Sequence, residues 1–249
     1  MDIGGTAVAI DPGKLDLKET LRCGMLVSRV VASEMTFAGA GRALAACLYD
    51  HLIRSDTGER ATALVRVFVT RSFATLREEQ RRAAQAQAGT APLGPATKCL
   101  VLLGTAGVEP AWCDPRLSAG HQAIPLASES LVREAPMISR LIEQFGLEVS
   151  DVVHPRIELT TALAAKNYNV FHVEHAAGSP YIPAQTPFVV CYGIESVIGF
   201  GGMLRSGELF AVILFSRVHV PPECAARFRS VALNLRLGLF RFDEAGAPA

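Results

Sequence analysis

The feature that most constrains the fold is a pair of apolar runs separated by a glycine-containing turn. Ser196–Phe200 and Leu209–Phe215 are rich in β-branched and aromatic residues, and the connection ends in Arg-Ser-Gly-Glu at 205–208. This pattern predicts two antiparallel strands joined in a hairpin. We expect Phe188–Val190 to add a neighbouring strand. Side chains alternate along a strand, so the first run should divide between two faces: Val197 with Gly199, and Ile198 with Phe200.

Composition bounds the class of protein. The chain has 249 residues, 50% of them hydrophobic, which is enough for one substantial core. Lys plus Arg and Asp plus Glu both number 24, so no net charge attracts nucleic acid. The first residues do not resemble a secretion signal, and no run approaches the roughly 18 apolar residues of a membrane span. We therefore expect a cytoplasmic protein without nucleic-acid or membrane partners.

The predicted organisation is a single domain over residues 15–242. Residues 1–14 should form a flexible leader, and residues 243–249 a disordered tail. The polar, helix-forming run at 76–97 follows the first predicted strand, Ala63–Thr70, and precedes the second, Lys98–Gly104. We interpret it as an exposed insertion at the sheet edge.

A long irregular segment after the second strand holds the best candidate site residues, because long loops in compact domains are often functional. Trp112 could stack on a planar ligand, and Arg116 and His121 could meet an anion or a metal centre. Asp114 lies between them, and Tyr192 is a possible neighbour from the closing strands. The alternative is that Trp112 fills the core while Asp114 and Arg116 only fix the loop.

The sequence names no cofactor and predicts no metal site. His172 and His175 are three residues apart, so on a strand they would face opposite ways. The 6 cysteines contain no C-x-x-C pair and are expected to be buried apolar groups. An enzyme would remain possible if Cys113 or Cys191 had a histidine base nearby.

Several segments together resemble a GAF-type sensory domain, the kind of input module found upstream of PAS and histidine-kinase modules in bacterial signalling proteins. The resemblance covers roughly residues 33–240. The segments are Gly120–Leu126, Ala135–Ile138, Val170–Val173, Gly178–Gln185 and Gly193–Val197 with the hairpin that follows. It implies an α/β (α+β) fold: a mostly antiparallel central sheet with helices on its faces, and N- and C-terminal helices packed together. It supplies no catalytic residue and no ligand.

This resemblance implies a non-enzymatic module that binds a small ligand or a signalling partner and relays the change through its terminal helices, as in a two-component system. A cavity is expected between the sheet and the segment from Trp112 to His121. A homodimer is also expected, since a C-terminal apolar stripe would otherwise be exposed: Phe228, Val231, Leu235 and Leu239. The alternatives are a small enzyme with a Cys/His pair near residues 105–125, or an interaction scaffold without a cavity.

Overall fold

The computed structural model describes residues 9–153 and 170–243. Residues 1–8 of the predicted leader and 244–249 of the predicted tail therefore lie outside the described residues. The remainder of the predicted leader is not free. Ile10 is fully buried, and its backbone N–H donates to the carbonyl oxygen of His51 at 2.9 Å. The expectation of a flexible leader is thus wrong for this part, because Ile10 belongs to the core.

Six strands and seven helices make up the described residues. The strands are β1 (Thr62–Ser72), β2 (Lys98–Gly107), β3 (Ala123–Pro125), β4 (Phe171–Val173), β5 (Ser196–Met203) and β6 (Leu209–Ser216). The helices are α1 (Leu17–Ser33), α2 (Phe37–His51), α3 (Glu78–Ala88), α4 (Glu129–Arg133), α5 (Pro136–Gln144), α6 (Val149–Val153) and a final helix, α7 (Pro222–Asp243).

The strands form one antiparallel sheet in the order β3-β2-β1-β6-β5-β4. The predicted hairpin is confirmed as β5 and β6, with Ile198 opposite Leu214. Its turn is closed by Glu208, a buried carboxylate that accepts hydrogen bonds from Thr70 Oγ1 at 2.7 Å and Lys98 Nζ at 3.0 Å. This network joins the turn to β1 and β2.

Each face of the sheet has its own apolar core. Helices α1, α2 and α7 cover one face, where Ile198 and Phe200 pack, as alternation predicted. Val197 packs on the other face, against the segments that follow β3 and β4. The α+β fold with an antiparallel sheet and helices on its faces is therefore confirmed.

The expected strand at Phe188–Val190 is wrong. Gln185–Val190 forms a wide π-helical turn, in which the Val189 N–H donates to the Ala184 carbonyl at 3.2 Å. Pro187, directly before this run, lacks the N–H that a β-ladder needs. Val190 is 67% exposed, so the run is not buried as a strand of the sheet would be.

The predicted pairing of the terminal helices is confirmed, since α1 and α7 lie side by side and run in parallel. Arg241 Nη1 donates to the Ala32 carbonyl at 2.6 Å near their C-terminal ends. Cys224 Sγ contacts the Leu15 carbonyl at 3.6 Å near the opposite ends. Asp16 caps α1 by accepting from the Glu19 N–H at 2.7 Å.

The predicted reason for dimerisation is wrong, because the apolar stripe of α7 packs inside the chain. Phe228 is fully buried and stacks on Phe200 with ring centroids 5.2 Å apart. The rest of that stripe is also buried: Val231, Leu235 and Leu239. The exposed apolar side chains lie on the outer surface instead, at Leu17, Leu21 and Met25 of α1 and Leu233 and Leu237 of α7.

Two other contacts fix the helical layer against the sheet. Gly104 of β2 lies so close to Gly41 of α2 that a Cβ on Gly104 would overlap the Gly41 backbone. Within the predicted insertion 76–97, Leu76 and Ala84 are buried while the opposite side of α3 is exposed. This segment therefore packs with one face.

Candidate ligand-binding cavity

A cavity of about 700 Å³ lies on the sheet face opposite α1, α2 and α7. This volume falls within the range of small-molecule sites. The sheet contributes alternate residues of its two central strands, as the pleat requires. They are Leu64, Arg66 and Phe68 of β1, and Ala211, Ile213 and Phe215 of β6.

The other walls come from irregular segments and are largely apolar. Residues 111–112 and 117–121 form one wall, between β2 and β3. The start of α5 supplies Pro136, Met137 and Ile138, because Pro136 ends the helix before it and begins a new one at this point. The segment from Tyr181 to Phe188 closes a further side.

Trp112 lines the cavity within an aromatic cluster. Its ring is 5.6 Å from that of Phe188 at 74°, and Phe188 in turn lies 4.9 Å from Phe215 at 80°. Such edge-to-face contacts add to the stabilisation from burial. Tyr192 packs on Trp112 at 4.6 Å and donates from its hydroxyl to Glu109 at 3.1 Å, outside the residues that line the cavity. It therefore supports Trp112 from behind.

Asp114 and Arg116 bind each other and do not line the cavity. Arg116 Nη2 lies 2.7 Å from Asp114 Oδ2, and the Arg116 N–H donates to Asp114 Oδ1 at 2.9 Å. The hydrogen bonds from Arg116 hold the pKa of Asp114 below its usual value. Because the Arg116 side chain is 70% exposed, the geometry matches the alternative in which this pair fixes the loop.

His121 lies in the cavity wall. Its Nδ1 is 2.9 Å from the Ala119 carbonyl oxygen, so this nitrogen carries the hydrogen and donates. Burial, followed by the charge of Arg66, lowers the pKa of His121. The imidazole is therefore neutral at neutral pH.

The charged group at the floor of the cavity is Arg66, which sequence reasoning missed. It lies in the middle of β1, and its Nη2 donates to the buried Ser118 hydroxyl over a long 3.4 Å. Its Nε is buried and has no hydrogen-bond partner among the described residues. Burial lowers the pKa of Arg66 to about 10. The available signal was a single charge within the apolar run Ala63–Thr70.

Thr105, on the neighbouring strand β2, is a second described residue with an unpaired polar group. It pairs with Arg66 across β1 and β2, so the two side chains share a face of the sheet. The Thr105 hydroxyl oxygen is buried and also lacks a hydrogen-bond partner within the described part of the chain. Two adjacent buried polar groups thus remain unsatisfied on the cavity side, which costs free energy unless something pairs with them.

The enzyme alternative requires a histidine base beside Cys113 or Cys191. Cys113 Sγ contacts the backbone carbonyls of Gly107 and Glu109, and no histidine hydrogen-bonds to Cys113 or Cys191 among the described residues. These two cysteines are exposed, whereas the other four are buried, as expected for apolar groups: Cys23, Cys47, Cys99 and Cys224. Within residues 9–153 and 170–243, no group of three His, Cys, Asp or Glu side chains could hold a metal ion.

Comparison with known proteins gives only distant structural likenesses. No family model matches the sequence, and no curated protein matches it significantly. Among solved structures, the GAF domain of an Acinetobacter phosphoenolpyruvate-protein phosphotransferase is 10% identical, with a TM-score of 0.45 over 94% of this chain and 100% of that one. The corresponding Coxiella burnetii domain is 10% identical, with a TM-score of 0.46 over 91% and 96%.

The chromophore-binding domain of a bacteriophytochrome from R. palustris is also similar, at 10% identity and a TM-score of 0.42 over 92% of this chain and 64% of that one. The sheet and helices described above confirm the predicted arrangement, an antiparallel sheet with helices on its faces. These likenesses say nothing about a ligand. No helix in the described ranges is both long enough and apolar enough to span a bilayer.

Proposed function

We propose that this chain is a non-enzymatic sensing module that binds a small, largely apolar ligand in the cavity. The observation that carries the proposal is a largely apolar cavity of about 700 Å³ with a partly buried cation, Arg66, in its floor. Ligand sites are commonly apolar pockets with a few placed polar groups. A pure interaction scaffold would have filled this face of the sheet with packed side chains.

In this proposal, Trp112 and His121 contact the ligand from the loop wall. Tyr192 supports Trp112, while Asp114 and Arg116 hold the loop in shape through their ion pair. The sheet residues make the floor.

The signal would pass through the sheet to the terminal helices. Strand β2 borders the cavity on one face and meets α2 on the other, where Gly104 touches the Gly41 backbone. Helix α2 in turn packs on α1, and α1 on α7. Because the Gly104 contact is between two backbones, a shift of β2 cannot be absorbed by a side-chain rotation there.

We further propose a homodimer through the outer surface of α1 and α7, in a cytoplasmic two-component signalling protein of bacteria. The exposed side chains Leu17, Leu21 and Met25 are spaced by four residues and form a stripe on α1. Leu233 and Leu237 form a second stripe on α7. Burial of both stripes in a second copy would remove an exposed apolar surface, and parallel helices could carry the signal onwards.

The experiment uses Trp112, the only tryptophan of the chain, as a reporter in the cavity wall. Native mass spectrometry of the purified protein should show a retained small molecule, or Trp112 emission should change on titration with decanol and decanoate. Ala135→Phe places a ring at the cavity wall and should weaken binding at least tenfold. Ala46→Phe, on the exposed side of α2, is the matched control. If neither probe binds and nothing is retained, the proposal is wrong.

A further inference from the structure

We propose that the ligand is an apolar molecule with a single carboxylate, and that Arg66 binds this carboxylate. The inference rests on the proposed ligand-binding function and names its ligand class. It concerns a strand residue on the cavity floor, whereas the loop arginine, Arg116, is paired with Asp114 at the surface.

Arg66 lacks a counter-charge among the described residues. No described carboxylate forms an ion pair with its guanidinium, and burial is the cause that lowers its pKa. Its Nε has no partner, and its one hydrogen bond, to Ser118, is long at 3.4 Å. A buried charge of this kind is costly unless paired. An anion entering the cavity would supply the missing partner.

The cavity lining holds a single cation. Arg66 is the only Lys or Arg among the described residues that line it, and His121 is neutral there. The lining carboxylate, Glu134, is exposed to solvent and forms no ion pair with Arg66. One cation in an apolar site can balance one negative charge. A carboxylate carries one and matches the planar guanidinium with two oxygens, whereas a phosphate monoester brings nearly two charges and a larger desolvation cost.

Apolar side chains surround Arg66 in the cavity. Around Arg66 the floor is made of Leu64, Phe68 and Ile213, and the opposite wall includes Met137 and Ile138. These side chains offer no hydrogen bond, so the part of the ligand that contacts them must be apolar. The adjacent unpaired Thr105 hydroxyl lies on the same face of the sheet. A carboxylate at Arg66 could accept a hydrogen bond from this hydroxyl, directly or through a water molecule.

The test compares matched ten-carbon probes by Trp112 fluorescence, with isothermal calorimetry as a second readout. Decanoate should bind roughly 10- to 100-fold more tightly than decanol, the gain expected from a charge-assisted hydrogen bond in a site of low polarity. Decylamine should bind more weakly than decanol, and decyl phosphate more weakly than decanoate. Tighter binding of decyl phosphate than of decanoate would overturn the carboxylate assignment.

Variants locate the head group. Arg66→Met keeps the side-chain length and should abolish the preference for decanoate over decanol. Arg66→Lys should keep a reduced preference. Arg82→Met, at an exposed ion pair on α3, is the matched control and should behave as wild type. Circular dichroism confirms that each variant is folded.

The results distinguish failure of the Arg66 assignment from failure of the proposed ligand-binding function. Equal binding of decanol and decanoate to the wild type would overturn the role of Arg66 and leave a cavity for neutral ligands. An unchanged decanoate preference in Arg66→Met would also overturn it, since another residue would then hold the carboxylate. Loss of all binding in Ala135→Phe, with the preference intact in Ala46→Phe, tests the cavity itself.

Discussion

Replacement of Arg66 by methionine should make the ligand-free protein more stable. Methionine has a similar length and an apolar end, so it can occupy the cavity floor without a charge. In the wild type, the guanidinium contributes one long hydrogen bond to Ser118 and leaves Nε unpaired. Replacing a poorly compensated buried charge by an apolar group of similar volume is often neutral or stabilising.

The magnitude follows from the pKa of Arg66. Burial lowers it to about 10, well below the ordinary value of arginine. At about 1.4 kcal/mol for each unit of pKa, burial destabilises the charged form by roughly 3 kcal/mol. Water in the cavity and the bond to Ser118 offset part of this cost. We expect Arg66→Met to raise the free energy of unfolding by about 1–2 kcal/mol, and the melting temperature by roughly 2–8 °C for a chain of this size.

The assay is urea unfolding followed by far-ultraviolet circular dichroism, at about pH 6 and about pH 8. The folded-state pKa of Arg66 is the lower one, so the penalty is complete at every pH below about 10 and is relieved only as the pH rises above that value. The gain in Arg66→Met should therefore be the same at both pH values. Arg116→Met should change stability by less than about 0.5 kcal/mol. If Arg66→Met is destabilised by more than about 1 kcal/mol, the guanidinium is well paired in the free protein and the reasoning fails.

Two further predictions concern the helical layer. Gly104→Ala should lower the free energy of unfolding by about 2–3 kcal/mol, because its Cβ would overlap the backbone of Gly41. Gly94→Ala, whose Cβ would meet only Thr97 Oγ1 at 4.0 Å, is the control in the same denaturation assay. Leu21→Glu places a charge on the exposed stripe of α1, so it should shift a dimer to monomer in sedimentation velocity without loss of helix content. A wild type that sediments as a monomer at micromolar concentration contradicts the proposed dimer.

The parts of the fold that the sequence could predict were those with a local chemical reason. The β5–β6 hairpin was predictable because β-branched alternation and a Gly-containing turn agree. The expected strand at Phe188–Val190 is wrong, since Phe188 belongs to the cavity wall and Pro187, directly before it, lacks the N–H that a ladder needs. Composition cannot distinguish these two uses of an apolar run.

The site was predicted only in part for a similar reason. The loop between β2 and β3 does border the cavity through Trp112 and His121. Asp114 and Arg116 are close enough in sequence to pair with each other, and this local ion pair removes them from the cavity. Arg66 was missed because its position becomes meaningful only when the register shows which face of β1 it occupies.

Alternate residues of strand β1 have different structural roles. Its residues at 64, 66 and 68 face the cavity, whereas Val65, Val67 and Val69 pack into the helical core. Substitutions at the first set can change what is recognised without disturbing the packing of α1, α2 and α7. Related chains could therefore diverge in ligand at every second position of this strand while the intervening valines stay constant, and an alternating pattern of variability there would mark proteins that share the scaffold but respond to different molecules.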